Sequence, residues 1–235
     1  MKRGEGEHDL VPQKAVRAIQ DLIRRNVYEP GMKLPAQRIL AEELDVSRAS
    51  LREALSMLEA LGFVRTEAGR GTFVTHNGGN ETKAVDEWRY SNLFEVNEVY
   101  EFRYFTEAAA IRMAALEITD AELNELQHIH EKYKAAIQTL DLVASGEYDN
   151  AFHRSIMNYS RNRVYSHLYE KFHEVIHQSQ ILPFSRHQRL WEPVMEHGKI
   201  LEALMRRDPD GAAYYMQMHM VRAAERIGVQ LKHLF

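Results

Sequence analysis

Imidazole and carboxylate side chains in the second half of the chain have the types and the spacing that could hold a metal ion. Asp149 and His153 are four residues apart, so on a helix they project from the same side. His197 and His219 each fall on an apolar stripe at helical spacing, where a buried imidazole needs a polar partner. One carboxylate with three imidazoles suits Zn²⁺ or a similar divalent ion and leaves one coordination position open.

Other histidines offer alternatives to this set. Ten of the twelve histidines lie at or beyond His128. His173 and His177 form another pair four residues apart, and His130 lies on an apolar stripe with Leu126 and Tyr133. A lone inward-facing histidine is also more often a core residue with a satisfied hydrogen bond than a ligand. Spacing alone does not choose among these interpretations.

A second group of side chains has the spacing of a DNA-binding face. Arg48 and Arg52 are four residues apart on a predicted helix, and the core face of that helix carries Leu51, Ala54, Leu55 and Leu58. Two guanidinium groups near the start of a helix suit bidentate contacts with guanine edges or phosphates. An isolated pair of this kind usually marks a solvated surface. The preceding helix, the tight turn and the following hairpin favour DNA.

Composition bounds the class of protein. The 235 residues have room for one large or two modest domains, and the absence of cysteine excludes disulfides and thiolate metal sites. No apolar run reaches membrane-spanning length, so we expect a cytoplasmic protein with no membrane partner. Residues 1–76 carry 12 Lys or Arg against 11 Asp or Glu, so net charge neither supports nor excludes nucleic acid. The sequence contains no Gly-x-Ser-x-Gly motif, the pattern that would indicate a serine hydrolase.

The first 76 residues predict a winged helix-turn-helix domain. Pro12 and Pro35 suit the first turns of two helices, Ser47 can cap a third, and Gly62 can end it. The predicted helices span about 12–27, 35–44 and 47–61. The β-prone segments 63–66 and 72–75 then flank a polar turn and predict a hairpin. The Gly-rich stretch 76–80 indicates a linker.

The remainder of the chain has helical periodicity and predicts an all-α antiparallel bundle of six or seven helices. The predicted spans are about 95–117, 120–144, 147–159, 162–181, 187–207 and 209–230, with a weaker signal near 85–93. Gly146 is expected to separate two of these helices. The predicted fold class is therefore mainly α. Its domains are a winged helix-turn-helix over 1–76, a linker with a short helix over 77–95, and a helical bundle over 96–235.

An ordered series of residues between Gln13 and Val74 carries a family resemblance. It runs through Tyr28-Glu29-Pro30-Gly31, Leu40-Ala41-Glu42-Glu43-Leu44, Val46-Ser47-Arg48, Leu51-Arg52-Glu53-Ala54-Leu55 and Gly69-Arg70-Gly71-Thr72-Phe73-Val74. This segment resembles the GntR family of transcription regulators. The resemblance implies that DNA is contacted by Arg38, Arg48, Ser50 and Arg52, with Gly69 and Arg70 at the tip of the wing. Ala49 and Ser50 stand where the family often has Thr and Pro, which bears on base preference.

The region from about Val96 to Ile227 resembles the FCD ligand-binding domain of the FadR branch of that family. The residues that carry the resemblance are Tyr100-Glu101-Phe102-Arg103, Glu107, Asp149-Asn150-Ala151-Phe152-His153, Glu196-His197-Gly198-Lys199-Ile200 and Met218-His219-Met220. It implies Asp149, His153, His197 and His219 as metal ligands, and Arg103 as a partner of an effector carboxylate, with an ion pair to Glu107 as the alternative. Asn162 matches an effector-site position, although Arg161 stands where the family has Gly.

The two resemblances together imply a transcription regulator rather than an enzyme. It would be a homodimeric repressor that binds a roughly palindromic operator in double-stranded DNA. Its effector would be a small organic or sugar acid held at a divalent ion, Zn²⁺ first, with Ni²⁺ or Mn²⁺ as alternatives. A metallohydrolase and a DNA-binding protein with a purely structural bundle are the competing hypotheses. Turnover of a substrate would favour a metallohydrolase. A gel shift that no effector changes would favour a purely structural bundle.

Overall fold

The computed structural model describes residues 11–75, 88–185 and 189–232, which form two compact units, Met1–Gly79 and Asn80–Phe235. The Gly-rich stretch 76–80 and most of the predicted linker lie outside the described residues. Among the described helices, none combines the length and the apolar character needed to cross a membrane. The architecture is mostly helical, as the periodicity predicts.

The first unit is a three-helix domain with a two-stranded wing. Its elements are α1 Val11–Arg24, α2 Gln37–Glu43, α3 Arg48–Ala60, β1 Val64–Glu67 and β2 Gly71–Val74. The strands pair antiparallel, with Val64 opposite Val74 and Glu67 opposite Gly71. The segment before α2 extends this sheet, because the Leu34 amide donates to the carbonyl of Thr72 and the Val74 amide to that of Met32.

Apolar side chains at helical spacing hold the first unit together. The residues predicted to face inward from α3 are at most 4% exposed: Leu51, Ala54, Leu55 and Leu58. They meet Val16 and Ile19 of α1 and Leu40 of α2, each fully buried. Ser47 caps α3, since its hydroxyl accepts a hydrogen bond from the Ser50 amide at 3.0 Å. The core face of α3 therefore leaves its arginines on the outside.

The second unit is a bundle with seven α-helices in its described part. They are α4 Val96–Glu117, α5 Asp120–Gln138, α6 Leu142–Tyr159, α7 Arg163–Lys171, α8 His173–Ile181, α9 Trp191–Met205 and α10 Pro209–Arg226. A 3-10 helix, Leu182–Ser185, follows α8. α4 and α10 pack along each other at the centre, and small residues such as Ala108, Ala114 and Ala212 let them approach closely. α5, α6 and α9 complete the core around them.

Three predicted boundaries in this unit are wrong. The break expected at Gly146 lies at Leu140, whose φ of 55° ends α5, and Asp141 caps α6 by accepting from the Ala144 amide. Gly146 instead lies in the second turn of α6, close to Ile181 and Phe184. The single helix predicted over 162–181 divides at Phe172. Residues 89–93 form turns, and the earlier part of the short helix predicted near 85–93 lies outside the described residues.

Candidate functional site

Four side chains from three helices converge in the core of the second unit. Asp149 and His153 come from α6, His197 from α9 and His219 from α10, and one ligand atom from each lies within 4.8 Å of all the others. The Nε2 atom of His219 is 3.3 Å from that of His197 and 3.3 Å from that of His153. Asp149 closes the group, with Oδ1 3.5 Å from His197 Nε2 and Oδ2 3.9 Å from His153 Nε2. These are the four residues that the resemblance implies as ligands.

Two buried glutamates lie behind this group, each beside one of its imidazoles. Glu196 Oε2 is 2.7 Å from His219 Nδ1, and because a carboxylate only accepts, Nδ1 carries the proton and Nε2 presents its lone pair. Glu107 Oε2 lies 2.5 Å from His153 Nδ1 on the far side of that ring, a close ion-pair contact without hydrogen-bond alignment. Burial alone would raise the pKa of Glu107, but the Arg103 guanidinium and the His153 imidazole outweigh it and hold that pKa at about 2.

His197 is oriented by packing. Its ring stacks on Phe152 with centroids 4.1 Å apart and planes 7° from parallel. Burial, followed by the neighbouring imidazoles of His219 and His153, lowers the pKa of His197 well below its ordinary value. The ring is therefore neutral near pH 7, the form in which imidazole binds metals.

The donor set fits a small divalent ion. Two nitrogens that each lie about 2.0–2.1 Å from a tetrahedral ion are about 3.4 Å apart. The two Nε2–Nε2 separations of 3.3 Å and the 3.5 Å from Asp149 Oδ1 to His197 Nε2 match that edge length. Among the described residues no lysine or arginine lies within ion-pair distance of Asp149. A cation would therefore give this buried carboxylate a counterion.

Two buried arginines flank the four residues, and each is paired with a glutamate. Arg103 Nε donates to Glu107 Oε1 at 2.7 Å and its Nη1 to Ser179 Oγ at 3.2 Å. Arg226 donates to both oxygens of Glu196 at 2.9 and 3.0 Å. The ion pair that was the alternative to an effector contact is thus present at Arg103.

Asn162 lies apart from this cluster and caps a helix. Its Oδ1 accepts from the Val164 amide at 3.0 Å, which begins α7. The preceding Arg161 has a φ of 59°, the left-handed conformation that glycine adopts most readily. Its guanidinium donates to both oxygens of Glu122 at 2.7 Å, so the turn is also tied to the start of α5.

The alternative histidines do not join the four-residue group. His173 and His177 stack on each other along α8 with centroids 5.7 Å apart. The ring of His130 lies 6.2 Å from that of His197, and its Nδ1 has no hydrogen-bond partner among the described residues. Of the described residues, only Asp149, His153, His197 and His219 form a cluster that could hold an ion.

Three arginines of the first unit, Arg38, Arg48 and Arg52, are exposed on α2 and α3. Arg48 and Arg52 are exposed on α3, and no side chain in the described part of the chain pairs with either. Arg38 and Arg48 line the same depression between α2 and α3, where Arg38 also pairs with Glu42 at 2.9 Å. The Ser50 hydroxyl is 2.8 Å from that of Ser47, so it takes part in the helix cap.

The wing ends in a tight glycine turn. Gly69 has a φ of 73°, and a side chain added there would meet nothing within 4 Å. Gly71 has a φ of 117°, and its Cβ would collide with the Lys33 side chain. Arg70 projects from this tip, is exposed, and pairs with Glu67. Backbone without side chains can approach a duplex closely, and an arginine beside it can reach phosphates or the minor groove.

Sequence reasoning missed three residues of the buried cluster. Glu196 belongs to a segment that carries the family resemblance, but the sequence analysis assigns it no role of its own. Arg226 lies seven residues after His219, two helical turns along the same face, which was a usable signal. Tyr133 is fully buried with its ring 5.3 Å from that of His197, and its hydroxyl has no partner among the described residues. No pattern in the sequence distinguishes it from an ordinary core tyrosine.

The chain combines a winged helix-turn-helix unit, which has exposed arginines, with a helical bundle that has a buried polar centre. This combination defines a class of DNA-binding regulators. Residues 12–74 match the family model described as bacterial regulatory proteins of the gntR family, and residues 98–222 match that of the FCD domain. The chain belongs to the gntR family and carries an FCD domain. It is a DNA-binding transcription regulator and not an enzyme.

Curated relatives support this assignment over most of their length. The Uxu operon transcriptional regulator of Escherichia coli is 27% identical over 216 residues, which covers 89% of this chain and 83% of that protein. The Glc operon transcriptional activator of E. coli is 26% identical over 211 residues, covering 86% and 83%. Among solved structures, E. coli McbR/YncC superposes with a TM-score of 0.53 at 19% identity, covering 92% of this chain and 96% of that one. The last comparison concerns the fold alone.

Proposed function

We propose that this protein is a repressor whose DNA binding is controlled by a small carboxylate-bearing metabolite held at a divalent metal ion in the helical bundle. The observation that carries the proposal is the convergence of three imidazole Nε2 atoms and the Asp149 carboxylate within 4.8 Å. Two of those imidazoles have buried glutamates on their far sides, which is the usual arrangement behind metal-binding histidines.

The buried charges support a cation at this centre. In the described part of the second unit the buried Arg and acidic side chains are Arg103, Arg226, Glu107, Glu196 and Asp149. Each arginine is matched by a glutamate at hydrogen-bond distance, so one negative charge is left on Asp149. A buried charge without a counterion is costly, and a bound cation removes that cost.

We propose Zn²⁺ as the ion, with Ni²⁺ and Mn²⁺ as alternatives to be separated by metal analysis. Three nitrogen donors and one carboxylate suit zinc, and expansion to five-coordination would leave a position for a ligand oxygen. The ion would supply a Lewis-acidic anchor for an anionic effector. Arg103 lies on the neighbouring helix, where its guanidinium can donate hydrogen bonds to the same molecule. Asn162, which caps α7, remains a proposed effector residue on the resemblance alone.

On the DNA side we propose contacts from Arg38, Arg48, Ser50 and Arg52, with Gly69 and Arg70 at the wing. Arg48 and Arg52 are exposed and pair with no side chain of residues 11–75, which supports this, since a solvated guanidinium can reach a guanine edge or a phosphate. Two copies of the chain would bind a roughly palindromic operator as a homodimer in the cytoplasm. Footprinting that shows one asymmetric half-site bound by a monomer would contradict this.

A paired experiment tests the proposal. Protein purified without chelator should contain one metal ion per chain, and an operator gel shift should respond to a small carboxylic acid only when that ion is present. Transcript levels in a deletion strain then give the sign of control, since loss of a repressor raises its target. A gel shift that no acid alters, with metal present or removed, would favour a regulator with a purely structural bundle.

A further inference from the structure

The Tyr133 hydroxyl is a buried polar group without a hydrogen-bond partner in the part of the chain that the structure describes. The residue is fully buried on α5. A buried hydroxyl without a partner is costly, so such groups usually bind a water molecule or a ligand. The centroid of its ring lies 5.3 Å from that of the His197 ring and 6.4 Å from that of the Phe184 ring.

This hydroxyl lies close to charged side chains in and beside the four-residue cluster. The charged side chains that act on it are Asp149, Arg226 and Glu196. A tyrosine hydroxyl carries its proton at neutral pH, so it can donate a hydrogen bond. A donor placed here favours a ligand with an oxygen acceptor.

The formal charges of the buried side chains indicate which ligand charge the site favours. The two buried arginines and the two buried glutamates cancel, and Asp149 leaves one negative charge. A divalent ion on neutral imidazoles changes this to one positive charge. The half-exposed side chains at the rim, Arg189, Glu192 and Arg222, are reached by solvent and do not enter this balance of buried charges. One carboxylate therefore makes the centre neutral, whereas a second carboxylate would leave an unbalanced buried charge.

We propose that Tyr133 is a ligand-binding residue and that the site takes a monoanionic acid, whose carboxylate balances the surplus charge and accepts a hydrogen bond from the Tyr133 hydroxyl. The inference rests on the proposed metal-dependent function and narrows its ligand from organic acids in general to monocarboxylates. Arg103 contributes hydrogen bonds to such a ligand but no surplus charge, because Glu107 already matches it at 2.7 Å.

The test is calorimetric titration of the full-length protein with matched acids after zinc loading. Glycolate and tartronate differ by one carboxylate, and glucuronate and glucarate repeat that difference at larger size. We expect the monoanion of at least one pair to bind about tenfold or more tightly than its dianion. Equal or tighter binding of both dianions, or no binding by any of the four acids, overturns the inference.

Tyr133→Phe separates this role from a structural one, and Tyr214→Phe, at a position 56% exposed on α10, is the matched control. Because Tyr133→Phe loses a hydrogen bond to a charged ligand, its affinity for the monoanion should fall about tenfold to a hundredfold. The affinity of the control should not change. Zinc stoichiometry and acid-free thermal stability should be retained, because the hydroxyl has no hydrogen bond to lose within the described structure. Unchanged acid affinity, or destabilisation without ligand, refutes the assignment. Failure of the wild-type protein to take up zinc would instead refute the proposed function.

Discussion

Glu196→Gln tests whether the buried glutamates behind the imidazoles matter for both stability and metal affinity. Glu196 accepts from His219 Nδ1 at 2.7 Å and from Arg226 at 2.9 and 3.0 Å, and Arg226 is 1% exposed. Neutralising this carboxylate leaves a buried guanidinium whose one remaining charged partner among the described residues is Glu192, at 3.3 Å. Removing one partner of a buried pair costs about 3–5 kcal/mol, and because Glu192 stays we expect about 3 kcal/mol.

The assay is urea unfolding of chelator-treated protein, so that metal binding does not contribute to stability. Both tryptophans, Trp88 and Trp191, lie in the second unit, so their fluorescence reports its unfolding separately from that of the first. Zinc affinity, measured by competition with a chelator, should fall about tenfold to a hundredfold because His219 loses its outer partner.

Glu202→Gln is the control on the same helix. Its carboxylate is exposed and lies 3.5 Å from Arg206, so its loss should change the free energy of unfolding by less than about 0.5 kcal/mol. If Glu196→Gln unfolds at the same urea concentration as this control, with the same slope, the buried pair does not stabilise the bundle. Unchanged zinc affinity would show that His219 is oriented by something other than Glu196.

Three further predictions concern both units. Arg52→Ala should weaken operator binding by about 1–3 kcal/mol at fixed salt without changing thermal stability, and wild-type anisotropy curves would remove Arg52 from the DNA face. His197→Ala should lower metal content and abolish the effector response but leave DNA binding by the unliganded protein intact. Stoichiometric metal in that variant would redirect attention to His130. The Arg161 hydrogen bond, the largest influence, lowers the pKa of Glu122 to about 2, so this pair stabilises the fold above the ordinary carboxyl pKa and loses its effect as pH falls towards 2. Glu122→Gln should therefore unfold earlier than wild type in urea near neutral pH, with a gap that narrows on acidification, and a constant gap would contradict this.

Periodicity predicted which elements form better than where they end. The inward face of α3 follows directly from its apolar spacing, and Ser47 caps that helix as predicted. Gly146 was misleading because a glycine can also serve close packing inside a helix, here against Ile181. The true break at Leu140 requires a left-handed backbone at a leucine, which no local preference predicts.

The buried centre was predictable in its ligand types but not in its supporting residues. Helical spacing places Asp149 and His153 on one side of α6 whatever the tertiary structure. Joining them to His197 and His219 depended on family resemblance, because the packing of α6, α9 and α10 is a property of the whole bundle. The partnership of Arg226 with Glu196, across 30 residues of sequence, is visible only in three dimensions.

The near-complete burial of the four clustered residues has a kinetic consequence. They are at most 5% exposed, so an ion bound among them could exchange with the solvent only when α6, α9 and α10 separate locally. The rate of exchange would then be set by the frequency of that opening rather than by the strength of coordination. A chain that folds around one metal would retain it long after the surrounding concentrations change. The metal found in the protein would then depend on which ions were available while the chain folded.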